Sequence, residues 1–215
     1  MKNVLVFITY FLLGIFLIFS FRKVTQTITS QQLKSPLPEF SFSLDNAPSE
    51  SLKGQILTLS GDVGWQSRIT TEPAKITKPI PIQQGEGIET LDSGVVELAF
   101  SNSADIIIDP KTEINIIQSL PANILIGQNS GLANYKKLGE VPLSVRSNDL
   151  LVKINQGEIT ISVSEKQPYT TVDVTNGSAT VGYNDTNFVT QILDITSGKS
   201  LLFNTDNKKA KILKD

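Results

Sequence analysis

Residues 170–183 read TTVDVTNGSATVGY, and residues 150–163 read LLVKINQGEITISV. In each, apolar and polar residues alternate on both sides of a glycine, and such alternation puts every second side chain on one face of a strand. Asn176-Gly177 suits the primed two-residue turns, whose central residues need positive φ. The spacing predicts a hairpin with Val174 opposite Ala179 and Val172 opposite Val181, leaving Asp173 and Thr180 on the polar face. Gln156-Gly157 predicts a second hairpin, with Ile154 against Ile159 and Val152 against Ile161, and with Lys153 and Thr160 outside.

Working outward, turn signals fall at Gly61-Asp62, Ser93-Gly94, Asn102-Ser103, Asp109-Pro110, Asn184-Asp185 and Ser197-Gly198. Between them lie the strand-like runs GVVELAF, ADIIIDP, EINII and TQILDI. Ile106-Ile107-Ile108 and Ile116-Ile117 do not alternate, which predicts strands covered on both faces. The inward set is Val95, Leu98, Phe100, Ile106, Ile108, Ile114, Ile154, Ile159, Ile161, Val172, Val174 and Val181. The only helix-like piece after residue 52 is a short one at Leu132–Leu138. No repeat of constant period is visible. The expected fold is therefore all-β, an antiparallel sandwich or an irregular β-roll.

The chain has 215 residues, 40% hydrophobic and 7% aromatic, enough for a core without staples. It contains no Cys and no His, which removes disulfides, thiolate chemistry, imidazole bases and zinc sites built from those residues. Residues 24–215 hold 16 basic residues against 21 acids, a net of −5, without basic clusters. That balance argues against nucleic acid and against anionic lipid as partners of the domain.

Residues 4–21, VLVFITYFLLGIFLIFSF, are eighteen residues without a charge. At about 1.5 Å per residue a helix of that length matches a hydrocarbon core. Inside lipid the backbone must bond within the segment, so a helix is expected from Val4 through Leu12 and Gly14 to Phe21. The rival reading is a cleaved signal peptide, but the apolar run is long and Ser20-Phe21-Arg22-Lys23-Val24 lacks an Ala-x-Ala-like site. Lys2 with the free amine balances Arg22 with Lys23, so charge alone leaves orientation open. Residues 24–51 are polar, with Pro36, Pro38 and Pro48, and read as an extended spacer. Phe40 and Phe42 offer an alternative there, an added edge strand. The organisation expected is an anchor at 1–23, a linker at 24–51 and a β domain at 52–215.

The stretch 85–117, GEGIETLDSGVVELAFSNSADIIIDPKTEINII, resembles the FecR domain. Gly85, Ile88 and Thr90 match the opening of that family's pattern. Gly94, Leu98 and Phe100 match its first strand, and Ile106, Ile108, Pro110, Thr112, Ile114 and Ile116 match its next two strands and the turn between them. Residues 131–147, the two glycine-centred segments around Gly157 and Gly177, and TSGKSLLF are similar to its later strands. The resemblance covers roughly 54–204. Glu86 replaces the usual Asp, Asn102-Ser103-Ala104 replaces Asp-Gly-Ser, and Glu158 replaces a common Thr. The resemblance implies an extracytoplasmic β module that binds a protein or a glycan of the cell envelope. Family members that regulate sigma factors carry a cytoplasmic domain before the membrane helix. Only three residues precede the apolar run here, so an anti-sigma role is not carried over. A self-associating structural surface protein is the alternative.

Candidate chemistry is sparse. Glu86 and Glu89 flank Ile88 and suggest an acid–base or cation-binding pair, though strand alternation favours two solvated side chains. Asn184, Asp185, Thr186 and Asn187 offer oxygen ligands for calcium without the spacing of a calcium loop, and turn chemistry explains them as well. Trp65, the one Trp, reads as half-buried or as an exposed partner anchor. The segment 70–84, with Pro73, Pro79 and Pro81, reads as a surface loop suited to partner contact. Without His to activate a Ser or Thr, and without a phosphate loop, no enzymatic activity and no cofactor are expected.

The uncharged run makes a direct prediction. The full chain stays in the membrane fraction after an alkaline wash, and a fragment starting near Val24 is soluble. Recovery of a processed chain beginning near residues 22–30 would identify a signal peptide instead.

Overall fold

A computed structural model describes residues 47–214, so the expected anchor, with Val4, Leu12, Gly14 and Phe21, and most of the linker, with Phe40 and Phe42, lie outside the described residues. The described part is all strand and turn: β1 (Gly54–Ser60), β2 (Val63–Gln66), β3 (Ala74–Ile76), β4 (Pro81–Ile82), β5 (Gly87–Thr90), β6 (Val95–Phe100), β7 (Ala104–Ile108), β8 (Thr112–Leu120), β9 (Asn123–Lys137), β10 (Leu143–Ser147), β11 (Leu150–Val163), β12 (Tyr169–Asn184), β13 (Thr190–Thr196), β14 (Lys199–Asn204) and β15 (Lys209–Lys214). Five of the six turn signals fall between strands, and Asn184-Asp185 begins on the last residue of β12. The expected helix-like piece does not form: Leu132–Lys137 belongs to β9, because its alternation of buried Ala133 and Tyr135 with more open neighbours has period two.

The two expected hairpins are corrected. Neither Gly157 nor Gly177 ends a strand; each bends one. β11 and β12 run side by side through both glycines, with Val174 opposite Ile159, Val172 opposite Ile161, Ala179 opposite Ile154 and Val181 opposite Val152. Gly157 and Gly177 face each other at the bend, with φ of 88° and 90°. Register shifts flank them, as in a bulge whose extra residue kinks the strand. The positive φ that a primed turn requires is thus present, but a bulge requires it too. A Cβ at Gly177 would lie 2.0 Å from the Gln156 carbonyl oxygen, and one at Gly157 would lie 2.1 Å from that of Asn176.

These bends divide the strand pairings into two layers. One runs β4-β1-β6-β7-β9-β11-β12-β14-β15 and the other β3-β2-β5-β8-β9-β10-β11-β12-β13. Three long strands belong to both, so the layers are continuous and the architecture is a roll. In β9, Ile124–Gly127 pairs with β10, while Gly131–Lys137 pairs with β7 and β11, after a bend at Gly131 with φ of 81°. The β9–β10 pair is parallel, which corrects the wholly antiparallel expectation. A parallel pair needs a crossover, commonly a helix. Here the second half of β9 makes the crossover as a strand of the other layer.

A single core collects side chains from both layers. Every expected inward residue is buried except Val95, which is half-buried while Val96 takes the inward place. Ile107 is 42% exposed and Ile117 half-buried, so β7 and β8 alternate and are not covered on both faces. Each fully buried Ile, Leu or Val stabilises by roughly 1.5–3 kcal/mol, so the alternation outweighs the turn chemistry of single residues.

The bend in β9 is held by buried polar groups. Gln128 Nε2 donates to the carbonyls of Gly131 at 3.0 Å and Ile161 at 3.1 Å, and the Tyr135 hydroxyl donates to Gln128 Oε1 at 3.0 Å. Both side chains are fully buried, and burial pushes the Tyr135 phenol far above its ordinary value. On the other side, Thr112 Oγ1 accepts the Leu132 amide at 2.9 Å and lies 3.0 Å from the Leu132 carbonyl as a donor. Gln128 thus ties β9 to β11 beside the bend, and Thr112 satisfies a Leu132 amide that lies beyond the end of β7.

Four outcomes are expected. Gly177→Val lowers stability by about 1–3 kcal/mol from backbone strain alone, measured by urea denaturation. Gly157→Ala and Gly177→Ala are non-additive in a double-mutant cycle, because each new methyl group displaces the backbone to which the other glycine belongs; additive costs would mean the glycines do not face each other. Gln128→Leu costs more than Tyr135→Phe, since it removes three buried hydrogen bonds and leaves the Tyr135 hydroxyl unmet, at roughly 1–3 kcal/mol for that group alone. A phenol whose folded value is raised favours the folded state at and below its unfolded value of about 10, and that contribution fades as pH rises above it. The melting temperature of wild type therefore falls more steeply above pH 10 than that of Tyr135→Phe.

Candidate functional site

The FecR-like motif residues occupy joints of the fold. Gly85 lies in the turn before β5, at φ of 85°, beneath the Arg68 side chain. Arg68 donates from Nε to the Gln84 carbonyl and from Nη2 to Gln83 Oε1 at 3.3 Å. Ile88, Leu98 and Phe100 are core residues, and Pro110 is exposed in the turn between β7 and β8. Thr90 is buried, donating to the Asp109 carbonyl at 2.6 Å and accepting the Thr112 amide at 3.0 Å. Gly94 sits in the β5–β6 turn, where a Cβ would come within 2.3 Å of the Asp62 carbonyl oxygen. The motif is therefore a set of packing and turn constraints, with no reactive constellation among its side chains.

Glu86 and Glu89 are not brought together. Glu86 is only 8% exposed, which corrects its reading as a solvated side chain. Its Oε2 accepts the Gln83 amide at 2.8 Å and Trp65 Nε1–H at 3.4 Å, so the carboxylate closes the turn before β5 and fixes the indole. A buried carboxylate held by donors is a structural clamp. Trp65 itself is half-buried on β2, opposite Ile88 and Ala74. Pro79 is exposed before β4, and Pro81 is exposed on β4 itself, an edge strand paired only with β1. Proline is tolerated there because an edge leaves amides unpaired. Trp65 and the prolines thus belong to different layers.

Glu89 instead faces Glu113 across β5 and β8. Like charges directly opposed are unfavourable, and Asn129 Nδ2 relieves them by donating to Glu113 Oε1 at 2.8 Å. The two acids share an open depression of about 440 Å³ with Asp92, Lys111, Ser130 and Glu165. Lys111 is paired with Asp92 at 3.0 Å. A second depression of about 300 Å³ beside it is floored by Gly87 and rimmed by Thr71 and Pro73 of the 67–73 loop. The composition, carboxylates with hydroxyls and one lysine already paired, suits a cationic or hydrogen-bonding group. Period-two reading of EINII places Glu113 outward, but only the sheet pairing places it against Glu89.

The 184–189 segment is a closed turn. Asp185 Oδ1 accepts the amides of Asn187 at 2.9 Å and Val189 at 3.0 Å, and Oδ2 accepts Gln191 Nε2 at 3.0 Å. The Val189 amide first, with Asn187 and Gln191, holds the Asp185 carboxyl below its ordinary value against partial desolvation. Local bonds thus engage the Asp185 carboxylate and, through the Thr190 hydroxyl at 2.8 Å, Asn184 Oδ1, two of the four side chains that the sequence offered as calcium ligands. Among the described residues no group of three or more acidic side chains is clustered to hold a metal ion. The turn also presents Phe188 to solvent at 89% exposure, a feature with no signal in the sequence.

Comparison with known proteins yields a fold and nothing finer. No family model and no curated protein matches the chain. Two crystal structures of a protein described as a "putative anti-sigma factor" from Parabacteroides distasonis share the fold. The TM-score is 0.53 for both, at 13% and 12% identity, over 60% of this chain. The chain spans 59% of the length of each of those proteins.

Proposed function

We propose that this chain is a membrane-anchored, extracytoplasmic FecR-like β module that binds a protein or glycan of the cell envelope and carries out no catalysis. The observation that carries this reading is the fold shared with the protein described as an anti-sigma factor. It is supported by the position of the FecR-like residues Gly85, Gly94, Pro110, Gly157 and Gly177 at turns and bends of that fold. The uncharged run 4–21 supplies the anchor. A rigid roll behind open surfaces suits recognition, and the absence of His and Cys from the chain removes the commonest bases and nucleophiles. The exposed Pro79 and Pro81, with the neighbouring 67–73 loop, are the contact surface of this reading. A second reading, a transmembrane signalling regulator of the anti-sigma type, is favoured by the description of the same structural neighbours.

The test uses the full chain in its own envelope. A photo-crosslinking residue at Pro79 is expected to form an adduct with an envelope protein or glycan, while the same residue at exposed Leu151 forms none. Protease added to intact cells should remove the β domain. Equal adducts from both positions, or a protected domain, would overturn the binding reading. Altered transcription of a sigma-dependent gene set on deletion of the chain would establish the second reading.

A further inference from the structure

The two layers end in unlike edges. β15, at the end of the first layer, exposes Lys209 and Lys211, and lysine on an edge strand opposes pairing with another chain. β13 ends the second layer. It pairs with β12 from Thr190 against Asn184 to Thr196 against Ser178, and among the described residues no strand pairs with its other side. Its sequence, TQILDIT, has no lysine and no proline. Its one charge, Asp194, is held by Thr180 Oγ1 at 2.7 Å. Ile192 is 67% exposed in the middle of the strand. The turn leading into it holds Phe188 at φ of 62°, left-handed backbone that a bulky residue adopts only where the surroundings impose it. The Asp185 bonds impose it here.

We propose that β13 pairs antiparallel with β13 of a second copy of this chain, about an axis through Ile192. In that register Ile192 meets Ile192, Thr190 meets Asp194, and Phe188 lies towards Thr196. No like charges are opposed. The two Asp194 carboxylates are offset by four residues, about 14 Å along the strand. That exceeds the screening length of about 8 Å at physiological ionic strength, so their repulsion is small. A register centred on Asp194 would set the two carboxylates against each other and is disfavoured. Pairing about Ile192 removes its exposed side chain from water, satisfies the free backbone edge and continues the second layer across both copies. The inference concerns assembly and is independent of the envelope partner proposed above.

The absence of cysteine makes the test clean. In the full chain, reconstituted in bilayers, Ile192→Cys is expected to form a disulfide-linked dimer under mild oxidation. Directly opposed Cβ atoms stand about 4.5–5.5 Å apart, a small adjustment from disulfide geometry. Lys211→Cys on β15 is expected to give only a collisional background. Register is read by mixing: Thr190→Cys and Asp194→Cys chains should crosslink together several-fold better than either alone. Ile192→Asp should shift sedimentation from dimer to monomer while the β circular-dichroism spectrum and melting temperature are retained. Equal crosslinking of Ile192→Cys and Lys211→Cys, or of Thr190→Cys alone and in the mixture, would overturn the proposal. So would a dimer unaffected by Ile192→Asp.

Discussion

Gly157 and Gly177 stand opposite each other where β11 and β12 bend, and the space beside each is filled by backbone of the other strand. Any side chain at either position would collide with a carbonyl oxygen, and both residues lie in left-handed backbone that side chains disfavour. The remainder of the roll depends on this contact. Because the strands bend together and stay paired, each supplies a segment to both layers. β10 and β13 then find partners in one layer, and β9 and β14 in the other. Had either glycine turned the chain back on itself, the strands would have been half as long and the layers separate.

A bend in a sheet exposes backbone groups that the ladder would have paired, and at β9 the molecule answers with polar side chains in its core. Gln128 reaches two carbonyls and takes the Tyr135 hydroxyl, so amide and phenol are satisfied where water is excluded. Thr112 does the equivalent for Leu132. Unmet, each of these groups would cost roughly 1–3 kcal/mol, which against a typical total stability of about 5–15 kcal/mol makes the network decisive for the kink. Glu86 serves a similar purpose outside the core, tying the turn before β5 to the Trp65 indole. Residues with the chemistry of a site are here committed to holding the fold.

The outward surface is correspondingly simple. One layer carries an acidic depression around Glu89 and Glu113, one rim carries exposed prolines, and among the described residues one edge, β13, has no strand on its outer side. The roll positions each of these features at its surface.

Period-two alternation marked the inward faces of β6, β7, β8, β11 and β12 in the sequence, and Gly, Asn and Pro marked the turns, because burial and turn geometry are local demands on residue type. The same local logic named Gly157 and Gly177 as positive-φ positions. It did not separate a hairpin from a shared bend, since Val172, Val174, Ala179 and Val181 face inward in either arrangement. That decision belongs to the tertiary structure, where the bent form pairs both strands along their whole length. Ile107 misled for a related reason: a run of isoleucines reads as buried on both faces, and only the sheet shows which face lacks a cover. Pairing across distant strands likewise set Glu89 against Glu113 and enclosed Glu86 beside Trp65. The sequence determined which residues turn inward and where the backbone must be left-handed; the tertiary structure decided which strands meet, because register between strands far apart in the chain is chosen by the packing of the whole core.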